Sequence, residues 1–381
     1  MRNSKRKIGS GNVGRFDQKN VGFSRALWDP LMQKPGEKIW KTPHVLREDS
    51  PGNTLLDWSF AQATSELERR YGQGNYGGNF GLTQWDISWE EIQKRNRLAP
   101  GQRYVVSDPV KMTRDVKRVA RFLGASLVGI CKVDMRWVYS HRYHFITREH
   151  SPIEIPEEFK YAIVMAHEMD YEVLKASPAY LSLASTGKGY SDMVYVLGLL
   201  AHFIRGLGYK AIPTGNDTAL SVPMAIDAGL GELGRHGIMM TKEFGPRIRL
   251  SKLFTNLPLL PDEPVEIGVR RFCEVCKRCA DHCPGMAISH DDPTDRGPNI
   301  SSAHGIYKWY VDAEKCFGFW GKNGAGCNNC IRVCPYNKPK GILHTTVKFL
   351  IKNFPWLNWG MLWGDKVFGY GEREVEGVFW N

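Results

Sequence analysis

Apolar residues set the first elements of the chain. From Thr54 to Arg70, Leu55, Leu56, Phe60, Ala63 and Leu67 recur at helical spacing and predict an amphipathic helix. Asp108 to Leu123 repeats that period, Ala125 to Val133 is an apolar run of strand length, and Tyr161 to His167 is a second. Ser191 to Gly206 predicts a helix closed by Gly206 and Gly208; Tyr209 to Pro213 follows as a short strand, Val222 to Ala228 as a helix, and Arg247 to Phe254 as a strand. Alternating helices and strands predict an α/β fold, α+β in its layering, with helices on the faces of one sheet.

The ends of the chain lack this regularity. Residues 1 to 53 are rich in Lys, Gly, Pro and Asn and predict an extended segment, pinned to the body by Phe16, Phe23, Trp28 and Trp40. Thr345 to Asn381 is crowded with aromatics. Trp356, Trp359 and Trp363 share one helix face if Pro355 opens a helix, which suits core packing, a pocket wall or a docking face equally.

Two glycine-rich stretches imitate nucleotide motifs. Gly72-Gln-Gly74-Asn-Tyr-Gly77 has the letters of a dinucleotide fingerprint, but a helix precedes it where a strand is required, so it predicts a surface turn. Lys188 after Gly187 lacks the other residues of a P-loop.

Composition narrows the function. The 381 residues suffice for two or three lobes. A net charge of +11 suits a nucleic acid or an anionic membrane surface, yet no nucleic-acid-binding motif accompanies it, and no nucleic-acid partner is expected. Arg2, Lys5, Arg6 and Lys7 read as a solvated tail. No apolar run approaches the roughly 20 residues of a spanning helix. Met1 to Gly11 is polar and lacks the apolar core of a signal peptide.

The chemistry is concentrated between Cys273 and Cys334, which hold eight of the nine cysteines. Cys273-x-x-Cys276-x-x-Cys279-x-x-x-Cys283-Pro284 has the ligand spacing of a bacterial iron–sulfur loop. Cys316, followed by Cys327-x-x-Cys330-x-x-x-Cys334-Pro335, repeats the motif with a longer first gap. Two runs predict two [4Fe-4S] clusters. In two-cluster ferredoxins the cysteine before each proline crosses to the other cluster, which groups Cys273, Cys276, Cys279 and Cys334 against Cys283, Cys316, Cys327 and Cys330. Structural zinc needs neither the third and fourth cysteines nor the prolines, and a disulfide framework belongs to short secreted chains. Cys131 sits in an apolar strand and reads as a buried small hydrophobe.

Thr186 to Leu260 carries polar and glycine-rich stretches that an electron carrier would not need. Its polar residues include Lys188, Tyr190, Thr214, Asn216 and Asp217, and its glycines, Gly189, Gly215, those in Gly229 to Gly234 and Gly245, are expected to allow close approach to a large ligand. Ala228-Gly229-Leu230-Gly231, leading through Gly245-Pro246-Arg247 and Leu257-Pro258-Leu259 into the cysteine runs, resembles the corrinoid-dependent reductive dehalogenases over about residues 110 to 340. The resemblance implies a nitroreductase-like cobalamin-binding domain (110–262) and a two-cluster bacterial ferredoxin-like domain (263–344). An N-terminal covering segment (1–109) and an aromatic C-terminal segment (345–381) flank them.

By position, Tyr190 resembles the family's proton donor, Arg249 the cation beside it, and Asn216 a polar residue near the substrate halogen. A guanidinium beside a phenol favours the phenolate and makes it a better acid near neutral pH. The Asp-x-His-x-x-Gly pattern of histidine-ligated corrinoid proteins is missing, so the resemblance implies base-off cobalamin with no protein ligand on cobalt. Electrons would pass from an external donor through the clusters, and small chlorinated C1 and C2 compounds are the expected substrates. The resemblance further implies anaerobic organohalide respiration at the outer face of the cytoplasmic membrane after twin-arginine export, on a membrane-anchor subunit. Because the chain shows no twin-arginine signal, it reads as a mature or trimmed form; assembly as a homodimer is left open. Two other readings compete: an epoxyqueuosine-reductase-like enzyme acting on a tRNA base, and a non-catalytic electron-transfer ferredoxin.

Overall fold

The computed structural model describes residues 13–72, 89–96, 99, 101–375 and 379–380. At its centre is a four-stranded sheet of β1 (Leu127–Lys132), β2 (Tyr161–Glu168), β3 (Ala211–Thr214) and β4 (Ile248–Thr255), in the order β1-β2-β4-β3. Every neighbouring pair is antiparallel. All four strands fall where the apolar runs predict them.

Alternation along the strands gives the sheet two dry faces. Val128, Ile130, Ile163, Met165 and Leu253 point to one, under the helices Pro109–Phe122 and Tyr180–Gly206. Cys131, Ala162, Val164, Ala166 and Phe254 point to the other, with Trp137 and the helix Ser221–Asp227. Gly129 is required there, because a Cβ would lie 2.0 Å from the Ala228 carbonyl oxygen. Cys131 is buried as a small hydrophobe should be.

Several elements depart from expectation. The helix expected to begin at Ser191 starts at Tyr180 and runs 27 residues to Gly206, so Tyr190 lies mid-helix. Its glycine- and serine-rich first half weakens the apolar period, but tertiary packing holds it. The helix expected from Thr54 breaks at Ser65 into Leu55–Thr64 and Glu66–Tyr71. Leu55, Leu56 and Leu67 are exposed; the small face with Ala61 packs instead, and Ser65 Oγ lies 2.2 Å from where a Cβ of Gly187 would stand.

The N-terminal segment is not purely extended. Asp29 caps a helix at Pro30–Trp40, disguised in sequence by Pro35 and Gly36. It packs on the helix Ala313–Asn323, where Gly321 leaves room for Pro35 and Phe23 meets Phe317 edge to face at 5.5 Å. Of the glycine decoy, Gly72 caps the helix Glu66–Tyr71, and Gln73 to Gly77 lie outside the described residues.

After Pro355–Leu357, a single 3₁₀ turn, the helix Asn358–Val367 carries Trp359 and Trp363. With Trp356 they are 74, 67 and 69 % exposed, which overturns core packing. Among the described residues, no helix is long and apolar enough to cross a membrane.

Candidate active site and cluster-binding residues

The eight motif cysteines fall into two groups in space. After burial, the neighbours that weigh most on Cys279 are Cys273, Cys334 and Cys276; those on Cys330 are Cys316, Cys327 and Cys283. Each group thus takes one cysteine from the other run, the crossed arrangement expected from the spacing. Short helices supply many of them: Cys273 from Val269–Val275, Cys279 from Arg278–Asp281, Cys316 from Ala313–Asn323 and Cys330 from Asn329–Arg332.

No disulfide joins these eight. Burial pushes Cys273 and Cys316 up to about 12 and Cys276 to about 11, so bare thiols there stay protonated. Converging buried sulfurs fit a cationic centre that binds them as thiolates. Buried Arg235 braces the first group by donating to the Cys273 carbonyl at 2.9 and 3.1 Å.

The second centre lies between β4 and the long helix. Strand alternation places Arg249 on the same face as Leu253, towards that helix, and Gly189 makes room for it: a Cβ there would lie 2.8 Å from Arg249 Cγ. The guanidinium sits 5.2 Å from the Tyr190 ring centre, within cation–π range. Asn216, on the loop after β3, donates to the Tyr190 hydroxyl at 3.4 Å, a long contact. The structure therefore brings Tyr190, Asn216 and Arg249 together.

Sequence reasoning missed what lies around these three. Arg249 Nη2 donates to Thr186 Oγ1 at 3.3 Å, one helical turn before Tyr190. Asn328 Nδ2 donates to the same oxygen at 3.1 Å and to the Ser182 carbonyl at 3.3 Å. Asn328 follows Cys327, so two side chains connect Arg249 to the second cysteine group. The i, i+4 spacing of Thr186 and Tyr190 was the available signal.

Beneath Asn216, buried Lys252 donates to the Gly215 carbonyl at 2.6 Å and to Ser221 Oγ at 2.9 Å. Burial lowers its pKa to about 8, against the pull of Asp217, which burial itself raises. Burial also raises Glu68 to about 7, with Asp217 adding to the shift and Arg69 opposing it. The charges that set this floor come from three elements, β4, the Asn216 loop and the helix Glu66–Tyr71, and share no local motif.

The glycines expected to admit a ligand mostly do not. A Cβ on Gly229 would meet the Glu263 carbonyl at 2.6 Å, on Gly231 that of Met240 at 1.9 Å, and on Gly245 that of Tyr336 at 2.4 Å. Their positive φ values of 71°, 151° and 58° and this crowding explain glycine by the protein's own backbone. Gly215 differs, having nothing closer than 3.7 Å to a would-be Cβ. Asn216, next to Gly215 in the chain, meets Tyr190, against whose ring Arg249 lies, and Arg249 Nε is buried with no hydrogen-bond partner among the described residues. An unmet donor and an open glycine fit a bulky ligand with acceptor groups, such as an amide-bearing corrinoid.

Comparison with known proteins decides the family. Residues 146–259 match the family described as reductive dehalogenase subunit, and residues 272–337 match the 4Fe-4S double cluster binding domain. The chain belongs to the reductive dehalogenase family. A tetrachloroethene reductive dehalogenase of Desulfitobacterium hafniense is 38 % identical over 321 residues, covering 74 % of this chain and 58 % of that protein. One from Sulfurospirillum multivorans is 37 % identical over 300 residues, covering 72 % and 60 %. This chain thus spans well under two thirds of the length of these relatives. A solved catabolic reductive dehalogenase shares the fold, with a TM-score of 0.76 over all of this chain and 50 % of that one, at 23 % identity. The family match covers both the Arg249 strand and the Asn216 loop, and neither competing reading is favoured.

Proposed function

We propose that the protein is a cobalamin- and iron–sulfur-dependent reductive dehalogenase of small chlorinated hydrocarbons, with chlorinated ethenes such as tetrachloroethene as the first substrates to test. The convergence of Tyr190, Asn216 and Arg249 carries this reading, supported by the two tetrachloroethene reductive dehalogenases at 38 and 37 % identity. The overall change replaces a carbon–chlorine bond by carbon–hydrogen, consumes two electrons and one proton, and releases chloride.

Cys273, Cys276, Cys279 and Cys334 would hold one cluster, and Cys283, Cys316, Cys327 and Cys330 the other, supplying one-electron carriers. A base-off cobalamin bound near Gly215 and Arg249 would supply low-potential cobalt chemistry at the carbon–chlorine bond. Tyr190 donates the proton to the product carbon from its hydroxyl. Arg249 holds the ring and stabilises the phenolate left behind, and Asn216 orients the hydroxyl and faces the halogen. Thr186 fixes Arg249 in that position.

We place the enzyme at the outer face of the cytoplasmic membrane in an anaerobic respiratory chain, seated on a membrane-anchor subunit. The exposed row Trp356, Trp359 and Trp363, with exposed Lys352 and Lys366 beside it, supports attachment at a membrane interface.

The experiment is chloride release from chlorinated methanes, ethanes and ethenes by anaerobically purified protein with reduced methyl viologen. Release from chloroethenes, with cobalt and about eight irons per chain, is expected. Cobalt and iron without release from any organohalide would overturn the proposal.

A further inference from the structure

On the opposite side of the Asn216 loop, the chain from Val138 into Ser140 leads to a hairpin of His141–Tyr143 and His150–Pro152. His141 pairs with Pro152 and Tyr143 with His150, so His141 and His150 are diagonal neighbours on one face. Their rings lie 4.8 Å apart at 35°. Asp17 reaches the same point from the N-terminal segment, with both carboxylate oxygens 3.0 and 3.1 Å from His150 Nε2. One ligand atom from each of Asp17, His141 and His150 lies within 4.8 Å of the other two.

We propose that Asp17, His141 and His150 bind a divalent transition-metal ion of the zinc class, separate from the cluster and corrinoid sites. Two imidazoles and a carboxylate are the donor set such an ion takes, with water completing four-coordination. A zinc ion with donors at about 2.1 Å holds neighbouring donor atoms about 3.4 Å apart, near the His150–Asp17 separation.

The surroundings resemble an outer coordination shell. Ser140 Oγ lies 3.1 Å from His141 Nδ1, which leaves Nε2 to face the ion. Asp17 Oδ1 also accepts the Lys19 backbone N–H at 2.8 Å, as ligating carboxylates commonly do. An exposed His150–Asp17 ion pair would explain two of the three residues and leaves His141 without a role.

The platform is rigid before any ion binds. Arg15 donates to the Val138, Tyr139 and Ile153 carbonyls at 3.2, 2.6 and 2.6 Å, and Ser140 N–H to the Phe16 carbonyl at 2.8 Å. The hairpin base is joined to the Asn216 loop by the Tyr139 N–H to Thr218 carbonyl bond at 2.9 Å and the Val138–Ala219 bridge. The ion would staple the N-terminal segment to the wall on which Asn216 stands.

The test uses the anaerobic holoprotein, its iron content measured, exposed to a mild chelator and then to Zn2+. Retained zinc is counted by mass spectrometry and its ligands are read by zinc-edge X-ray absorption. The expected result is about one zinc per chain with nitrogen and oxygen donors alone, and at least ten-fold less retained by His141→Ala and by His150→Gln at unchanged iron content. Sulfur in the zinc shell, or wild-type protein retaining no zinc, would overturn the site; so would variants that retain as much zinc as the wild type. These outcomes do not depend on dehalogenation. Should one variant fail to fold, the other and the wild-type absorption spectrum still decide.

Discussion

The Arg249 guanidinium, carried on β4, lies 5.2 Å from the centre of the Tyr190 ring, carried on the long helix, and Thr186 one turn away holds it there. A cation on a phenol ring, fixed by a hydroxyl that also meets the chain beside Cys327, ties Tyr190, the proposed proton donor, to the second cysteine group.

Thr186→Val keeps the shape of the side chain and removes the acceptor of the Arg249 bond. Hydrogen bonds to charged groups contribute about 1.5–3 kcal/mol, so kcat should fall about 10- to 100-fold with iron content unchanged. Thr186→Ser should retain most of the activity. Steady-state kinetics of the two variants checks this, and equal losses would remove Thr186 from the argument.

Cys283 belongs to the first run in sequence and to the second group in space. Replacing Cys283 and Cys327 together with Ser should cost no more iron than either change alone, whereas Cys283 with Cys276 should cost about twice as much. Iron analysis of the reconstituted variants reads the pairing directly.

Arg247 is buried, pairs with Glu168 and donates to the Met169 and Lys338 carbonyls at 3.3 and 3.2 Å, joining the sheet to the chain after Cys334. Arg247→Leu leaves Glu168 and two carbonyls without that donor. A loss of about 3–5 kcal/mol is expected, seen as a lower Tm and faster iron loss on warming.

His167 is buried on β2, with Nε2 2.9 Å from Ser251 Oγ, and burial, aided by the charge of Lys188, lowers its pKa from 6.5 to about 3. The unfolded chain therefore takes up a proton that the folded protein refuses. The contribution of neutral His167 is complete above about pH 6.5 and is lost as pH falls towards 3. Tm should drop between pH 7.5 and 5.5, and drop less in His167→Gln. Thermal melts at the two pH values decide it.

What was legible in the sequence was periodic or spaced. The strands could be placed because a buried sheet needs apolar runs, and the cysteine groups because ligand spacing fixes which sulfurs converge. The first half of the long helix was hidden: Gly187 and Gly189 are there because Ser65 and Arg249 press against it, a demand that comes from other parts of the chain. The contacts of Thr186, Lys252 and Asn328 escaped for the same reason. Gly231 and Gly245 misled because backbone crowding and ligand approach call for the same residue. The tryptophan row was readable as a face, but its burial depends on what lies opposite.

The measurement that bears most directly on the site compares chloride release by wild-type protein and Tyr190→Phe at matched cobalt and iron content, with tetrachloroethene and reduced methyl viologen. The phenylalanine keeps the ring under Arg249 and removes the proton. A fall in turnover of about 10²- to 10⁴-fold, with cofactor content intact, is predicted. Equal chloride release by the two proteins would contradict the assignment of Tyr190 as the proton donor and with it the placement of the active site.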